Sequence, residues 1–183
     1  MMNRFDDNTP QDRLVARAAA RLLMSAVAAS DHEPGQASVS RADLWAYANR
    51  EPGSLVNFMV EKAVRADPGI ASRYNKLLMM KARGMSVMAA AAYDNSATHR
   101  RLGDFTLDIV EEEGAPAALV IERLTDGVPA PTLIEAVSIE GIVRIALPAE
   151  VDRHIVLDLP AHDHERDLLR LMLANPTTGV YLL

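Results

Sequence analysis

The chain contains no cysteine among its 183 residues. Disulfides, thiolate zinc sites and cysteine nucleophiles are excluded together, and the composition suits a reducing compartment. Long apolar runs are also missing. None approaches the roughly 18 residues that a membrane span requires. The start, MMNRFDDNTPQDR, is polar and acidic where a secretory signal needs a basic start and an apolar middle. A cytoplasmic protein with no membrane partner is expected. The motifs of phosphate and acyl chemistry are absent too: there is no glycine-rich phosphate loop and no HExxH pair, and GMSVM at 84–88 ends in methionine where a nucleophile elbow needs glycine. Nothing in the sequence calls for a cofactor. Aromatic residues make up only 4% of the chain, yet Trp45, Tyr47 and Phe58 fall within one short stretch.

Hydrophobic residues account for 49% of the sequence, ample for a packed core. Charge is divided unevenly. Residues 1–103 carry 14 Lys+Arg against 10 Asp+Glu, and 104–183 carry 5 against 15, so the halves stand at +4 and −10 within a net −6. The acidic half repels phosphates and the basic half lacks a dense cationic cluster, which argues against direct binding of nucleic acid.

Apolar spacing changes at the same place. In the first half it is helical. Thr9 and Pro10 open a helix with Leu14, Ala18, Leu22 and Ala26 on one face. Ser40 then caps a short helix holding Leu44, Trp45 and Tyr47. Ser54 caps a third, with Leu55, Met59 and Ala63 on one line and Val56, Val60 and Val64 on the next. Asp67 and Pro68 start a fourth, with Ile70, Tyr74, Leu77 and Leu78 inward and Gly84 as its stop. From Gly103 the period falls to two: DFTLDIV, AALVIERL, TLIEAVSIE, IVRIALP, HIVLDLP, LLRLMLA and GVYLL read as strands between Gly, Pro and Asp turns. The expectation is an α+β chain. A small helical domain of about four helices occupies 1–84, a linker or helical tail 85–102, and an antiparallel β-sandwich or barrel of six to seven strands 103–183.

Three polar groups bear on chemistry. DLPAHDHERD, residues 158–167, gathers His162 and His164 with Asp158, Asp163 and Glu165, ligand types that zinc, manganese or iron would use. A solvated turn between two strands is the plainer reading, and a small enzyme or metal-binding β domain with its site at 158–165 is the alternative. Glu111, Glu112 and Glu113 read as a water-facing tip, since a catalytic pair needs one acid in a pocket that raises its pKa. Arg13, Arg17 and Arg21, four apart, form a basic stripe suited to an acidic partner or to solvent.

The aromatic stretch has two readings as well. Trp45, Tyr47, Phe58 and Tyr74 can form the core of a small helical domain, with Trp45 and Phe58 inside, or some of them can face a groove that receives another protein. The segment DLWAYANREPGSLVNFMVEKAVRADPGIASRYNKLL resembles the helical domain of bacterial anti-sigma factors through Leu44, Tyr47, Val60, Val64, Asp67, Pro68 and Tyr74. Without cysteine, the likeness is to a zinc-free, soluble relative. The resemblance implies a non-enzymatic regulator of transcription whose helical module binds another protein, a sigma factor, followed by a variable sensory domain. Leu44, Trp45, Tyr47 and Met59, with Arg13, Arg17 and Arg21, are the candidate partner-binding residues. A structural subunit that forms homo-oligomers through exposed strand edges is a third reading.

Overall fold

The computed structural model describes residues 39–86 and 99–183. The expected N-terminal helix with its stripe of Arg13, Arg17 and Arg21, and most of the expected linker, lie outside the described residues.

Helix α1 spans Arg41–Ala48, α2 Phe58–Ala66 and α3 Pro68–Lys81. The α3 boundary follows the sequence: Asp67 Oδ1 accepts the backbone N–H of Gly69 at 2.7 Å and of Ile70 at 3.1 Å, with Pro68 at the first helical position. The α2 boundary departs from the expectation. Ser54 Oγ donates instead to Glu51 O at 2.6 Å, within the Pro52–Gly53 turn. Asn57 is the cap, accepting from Met59 N and Val60 N. The helix therefore begins at Phe58, and Leu55 and Val56 lie in the exposed segment before it. Helix α3 stops at Lys81, short of Gly84, which belongs to a strand.

Eight strands follow among the described residues: β1 Gly84–Ser86, β2 His99–Leu102, β3 Phe105–Val110, β4 Ala117–Arg123, β5 Leu133–Val137, β6 Ile142–Ala146, β7 His154–Leu159 and β8 Gly179–Leu182. They form two antiparallel sheets, ordered β1-β8-β5-β6 and β2-β3-β4-β7, and no closed barrel. Strand alternation gives each sheet an inner face. Ile134, Ala136, Val143, Ile145, Val180 and Leu182 of the first meet Leu102, Phe105, Leu107, Leu119, Ile121 and Ile155 of the second in one buried cluster.

LLRLMLA is not a strand. It lies in helix α4, His164–Ala174, between β7 and β8. Asp163 caps it by accepting from Arg166 N at 3.2 Å, Glu165 and Asp167 stand in the first turn, and Leu169, Met172 and Leu173 recur at helical spacing to join the inter-sheet core. The helix packs against β5, β6 and β7. Its C-terminus is held by a buried arginine without a carboxylate: Arg100 on β2 donates to the carbonyl oxygens of Leu173, Asn175 and Thr178 at 2.6, 2.5 and 3.0 Å.

The segment expected to separate two domains instead contributes strands. Strand β1 pairs with β8, so Gly84 lies opposite Leu182, and Ala42–Leu183 is one compact unit rather than two units divided at 85–102. A short strand such as Gly84–Ser86 carries too few residues for a period of two to show. Gly84 is also the most closely approached glycine among the described residues: a Cβ there would lie 2.4 Å from the carbonyl oxygen of Leu102 and 2.9 Å from the Phe105 ring. Gly84→Ala is expected to destabilise the protein by roughly 2 kcal/mol or more, because the nearest obstacle is backbone. Urea unfolding of the two proteins checks this.

Candidate functional site

Residues of the first sheet that point away from the inter-sheet core include Glu135, Arg144 and Tyr181, mutual neighbours through the registers Glu135↔Arg144 and Glu135↔Tyr181. Helices α1 and α3 lie over this face. Glu135 is fully buried. Its Oε2 accepts from Arg144 Nη1 at 2.6 Å, and its Oε1 accepts from Tyr74 Oη on α3 and lies 3.4 Å from Arg50 Nη1 just beyond α1. Arg50 Nη1 also donates to Tyr47 O and Tyr74 Oη, and its guanidinium stacks 3.8 Å from the centre of the Tyr47 ring. The Tyr47 and Tyr74 rings meet with centres 5.5 Å apart.

The end of α1 is gripped by cations from two further elements. Arg144 Nη1 and Lys81 Nζ both donate to Ala48 O, at 3.1 and 2.8 Å, and Lys81 also reaches Asn49 Oδ1 at 2.9 Å. Positive groups at a helix C-terminus complement its dipole. One buried carboxylate thus organises two arginines and a tyrosine, and the arginines and Lys81 fix where α1 stops.

Burial and Glu135 set the proton affinities here. Burial pushes Tyr47 up to about 12, as it does Tyr181, where the nearby Glu135 charge adds to the effect. Tyr74 is raised further, by burial first and then by Glu135. For Arg50 burial acts downward, but Glu135 and the two tyrosines outweigh it and the net shift is up. Lys81 is lowered by burial and then by Arg144.

The expected partner-binding residues separate into inner and outer groups. Leu44 and Tyr47 are buried, as are Val60, Val64, Tyr74, Leu77 and Leu78, so Leu44 and Tyr47 belong to the core beneath the helices and not to a docking face. Consecutive residues on one short helix point about 100° apart, so Leu44 turns inward and its neighbour Trp45 outward, 39% exposed. Met59 is exposed. Phe58, expected inside, is 69% exposed, because the later start of α2 puts it in the first turn on the side away from Val60 and Val64. Leu55, Val56, Met79 and Met80 are exposed with them. Between α2 and the turn joining β5 to β6 lies a groove of about 370 Å³ lined by Phe58, Glu61, Lys62, Arg65, Ala66 and Ile139. Arg65 Nε donates to Ile139 O at 3.0 Å across it.

The histidine segment assembles differently from a metal site. His162 and His164 are exposed, Asp163 is occupied as the α4 cap, and among the described residues no group of three His, Asp or Glu side chains is placed to hold a metal. Glu111, Glu112 and Glu113 are exposed at the β3–β4 turn, Glu111 lying 3.5 Å from Arg170. Glu135 and Arg144 were not singled out from sequence. The available signal was a charge at the centre of each of two otherwise apolar strands, LIEAV and IVRIA.

No protein-family model, no curated protein and no solved structure matches this chain.

Alkaline titration tests the buried cluster. Folded-state values of about 12 for Tyr47 and Tyr181, and higher for Tyr74, stand above the unfolded value of about 10. Above pH ~10 the unfolded chain therefore binds fewer protons than the folded one. Stability is complete below that pH and falls as pH rises, by up to about 1.4 kcal/mol per pH unit for each tyrosine. Lys81 acts in the opposite sense, as one group against three. In Tyr93→Phe, which keeps Tyr47, Tyr74 and Tyr181 as the remaining tyrosines, tyrosinate absorbance is expected to appear in a cooperative step that coincides with unfolding. A gradual rise near pH ~10 in a folded protein contradicts the burial of these hydroxyls.

Proposed function

We propose that the chain is a non-enzymatic regulatory protein that binds another protein through the outer surface of α1–α3, a role of the anti-sigma type. One observation carries the reading. Of fourteen exposed large hydrophobic residues among the described residues, seven (Trp45, Leu55, Val56, Phe58, Met59, Met79 and Met80) lie within residues 45–80, the segment of the three helices. Apolar side chains scattered singly need no explanation, whereas a concentration including tryptophan, phenylalanine and methionine suits an interface centre. The residues that carry the anti-sigma resemblance fit this arrangement: Leu44, Tyr47, Val60, Val64 and Tyr74 form the layer's buried side, which leaves Trp45, Phe58 and Met59 to face outward. The β sheets then serve as the scaffold or sensory part, and no chemistry on the chain is required.

The test pairs two truncations in the full chain. Trp45→Ala and Phe58→Ser are expected to unfold within about 1 kcal/mol of the parent, since both side chains are substantially exposed. Each is expected to weaken, by about thirtyfold at a central anchor, the capture of the protein that the parent retains from cells, a purified sigma factor being the first to try. Unchanged capture by both folded variants removes this surface from the interface.

A further inference from the structure

We propose that the groove between α2 and the β5–β6 turn receives an acidic segment of the partner protein, which seats an apolar side chain beside Phe58 and Ile139 and presents carboxylates to Lys62 and Arg65. The proposal rests on the partner-binding reading and adds the chemistry of what is bound. Its first support is shape: at about 370 Å³ the groove takes a few side chains of a chain segment, and its walls combine apolar Phe58, Ala66 and Ile139 with charged groups.

Charge is the second support. The rim holds two cations, Lys62 and Arg65, against one carboxylate, Glu61. Neither cation has an ion pair among the described residues, and Arg65 is steadied only by the carbonyl oxygen of Ile139. Residues 42–83 carry seven Lys+Arg against four Asp+Glu; with Arg50 turned to Glu135 and Lys81 to the end of α1, five cations and four carboxylates remain for the outer surface, so the cationic excess is concentrated at the groove. Two of the four carboxylates near the groove helices are already placed: Asp67 caps α3, and Glu61 lies in the groove itself. A basic, partly apolar concavity on an acidic protein selects for acidic segments and steers their approach. Two cations beside one phenylalanine make a poor phosphate track.

The experiment pans a random peptide library displayed on phage against the full chain, and in parallel against the double variant Lys62→Glu/Arg65→Glu. The parent is expected to select sequences rich in Asp and Glu around an apolar residue. Synthetic copies should bind less tightly as salt rises and about thirtyfold more weakly to Phe58→Ser. The charge-reversed protein is expected to select Lys and Arg instead. Circular dichroism confirms that each variant is folded. If Phe58-dependent peptides emerge without acidic bias, or are indifferent to the reversal, the proposed partner chemistry falls while the partner-binding reading stands. If nothing is enriched, or enrichment ignores Phe58, the groove proposal falls, while the partner-binding reading is decided by the Trp45→Ala and Phe58→Ser captures. Vesicles containing phosphatidylserine, duplex DNA and a second copy of the chain are measured alongside; binding of any of these with the same dependence on Phe58, Lys62 and Arg65, in place of the peptides, overturns the acidic partner.

Discussion

A fully buried carboxylate is costly unless cations and donors surround it, and Glu135 is surrounded from three elements at once: Arg144 from β6, Tyr74 from α3 and Arg50 from the end of α1. The helices lie where they do because these groups must meet. If α1 shifted by a turn, Arg50 would lose Glu135, and if α3 did, Tyr74 would, each breaking a contact to a buried carboxylate at a cost of roughly 1–3 kcal/mol; the Glu135–Arg144 pair lies within the sheet and would remain. Against an apolar replacement such a cluster adds little net stability, and three of its buried polar atoms, Tyr47 Oη, Tyr181 Oη and Arg144 Nε, have no partner among the described residues. Its effect is on orientation: it penalises placements of α1 and α3 that break these contacts.

That placement decides which residues are offered outward. With Leu44, Tyr47, Val60, Val64, Tyr74, Leu77 and Leu78 committed to the layer beneath the helices, Trp45, Phe58 and Met59 have nowhere to go but solvent. The late start of α2, set by Asn57, adds Leu55 and Val56 to the same exposed stretch. The two sheets contribute a separate core, closed by α4 through Leu169, Met172 and Leu173, and so supply a scaffold that does not depend on the outer surface. A rigid support carrying an exposed, partly apolar and basic layer is the arrangement from which the partner-binding proposal draws its support.

Much of this was legible from residue spacing. Strands β3 to β8 fall in segments read as strands, with alternating burial in β3, β4 and β7, α3 follows Asp67–Pro68, and the inward set Tyr74, Leu77 and Leu78 follows the helical period. The failures have physical causes. LLRLMLA is apolar enough to read as a buried strand, and only the cap at Asp163 with acids in the next turn marks it as helix. Ser54 and Asn57 are both good caps, and the turn that consumes the Ser54 hydroxyl is a tertiary fact. Strands β1 and β2, three and four residues long, carry too little pattern to be seen. The Glu135 cluster joins positions 50, 74, 135 and 144, and no local pattern relates them; only the registered pairing of β5 with β6 and the packing of the helices bring them together.

The claim that Glu135 fixes the helical layer is tested most directly by native-state hydrogen exchange, amide by amide, on the parent and on Glu135→Ala. Loss of the carboxylate is expected to lower protection selectively in α1 and α3, with α2 following, while amides of β3, β4 and β7 in the opposite sheet keep protection close to that of the parent. Uniform loss across both sheets, or protection of α1 and α3 equal to the parent's, would contradict the account.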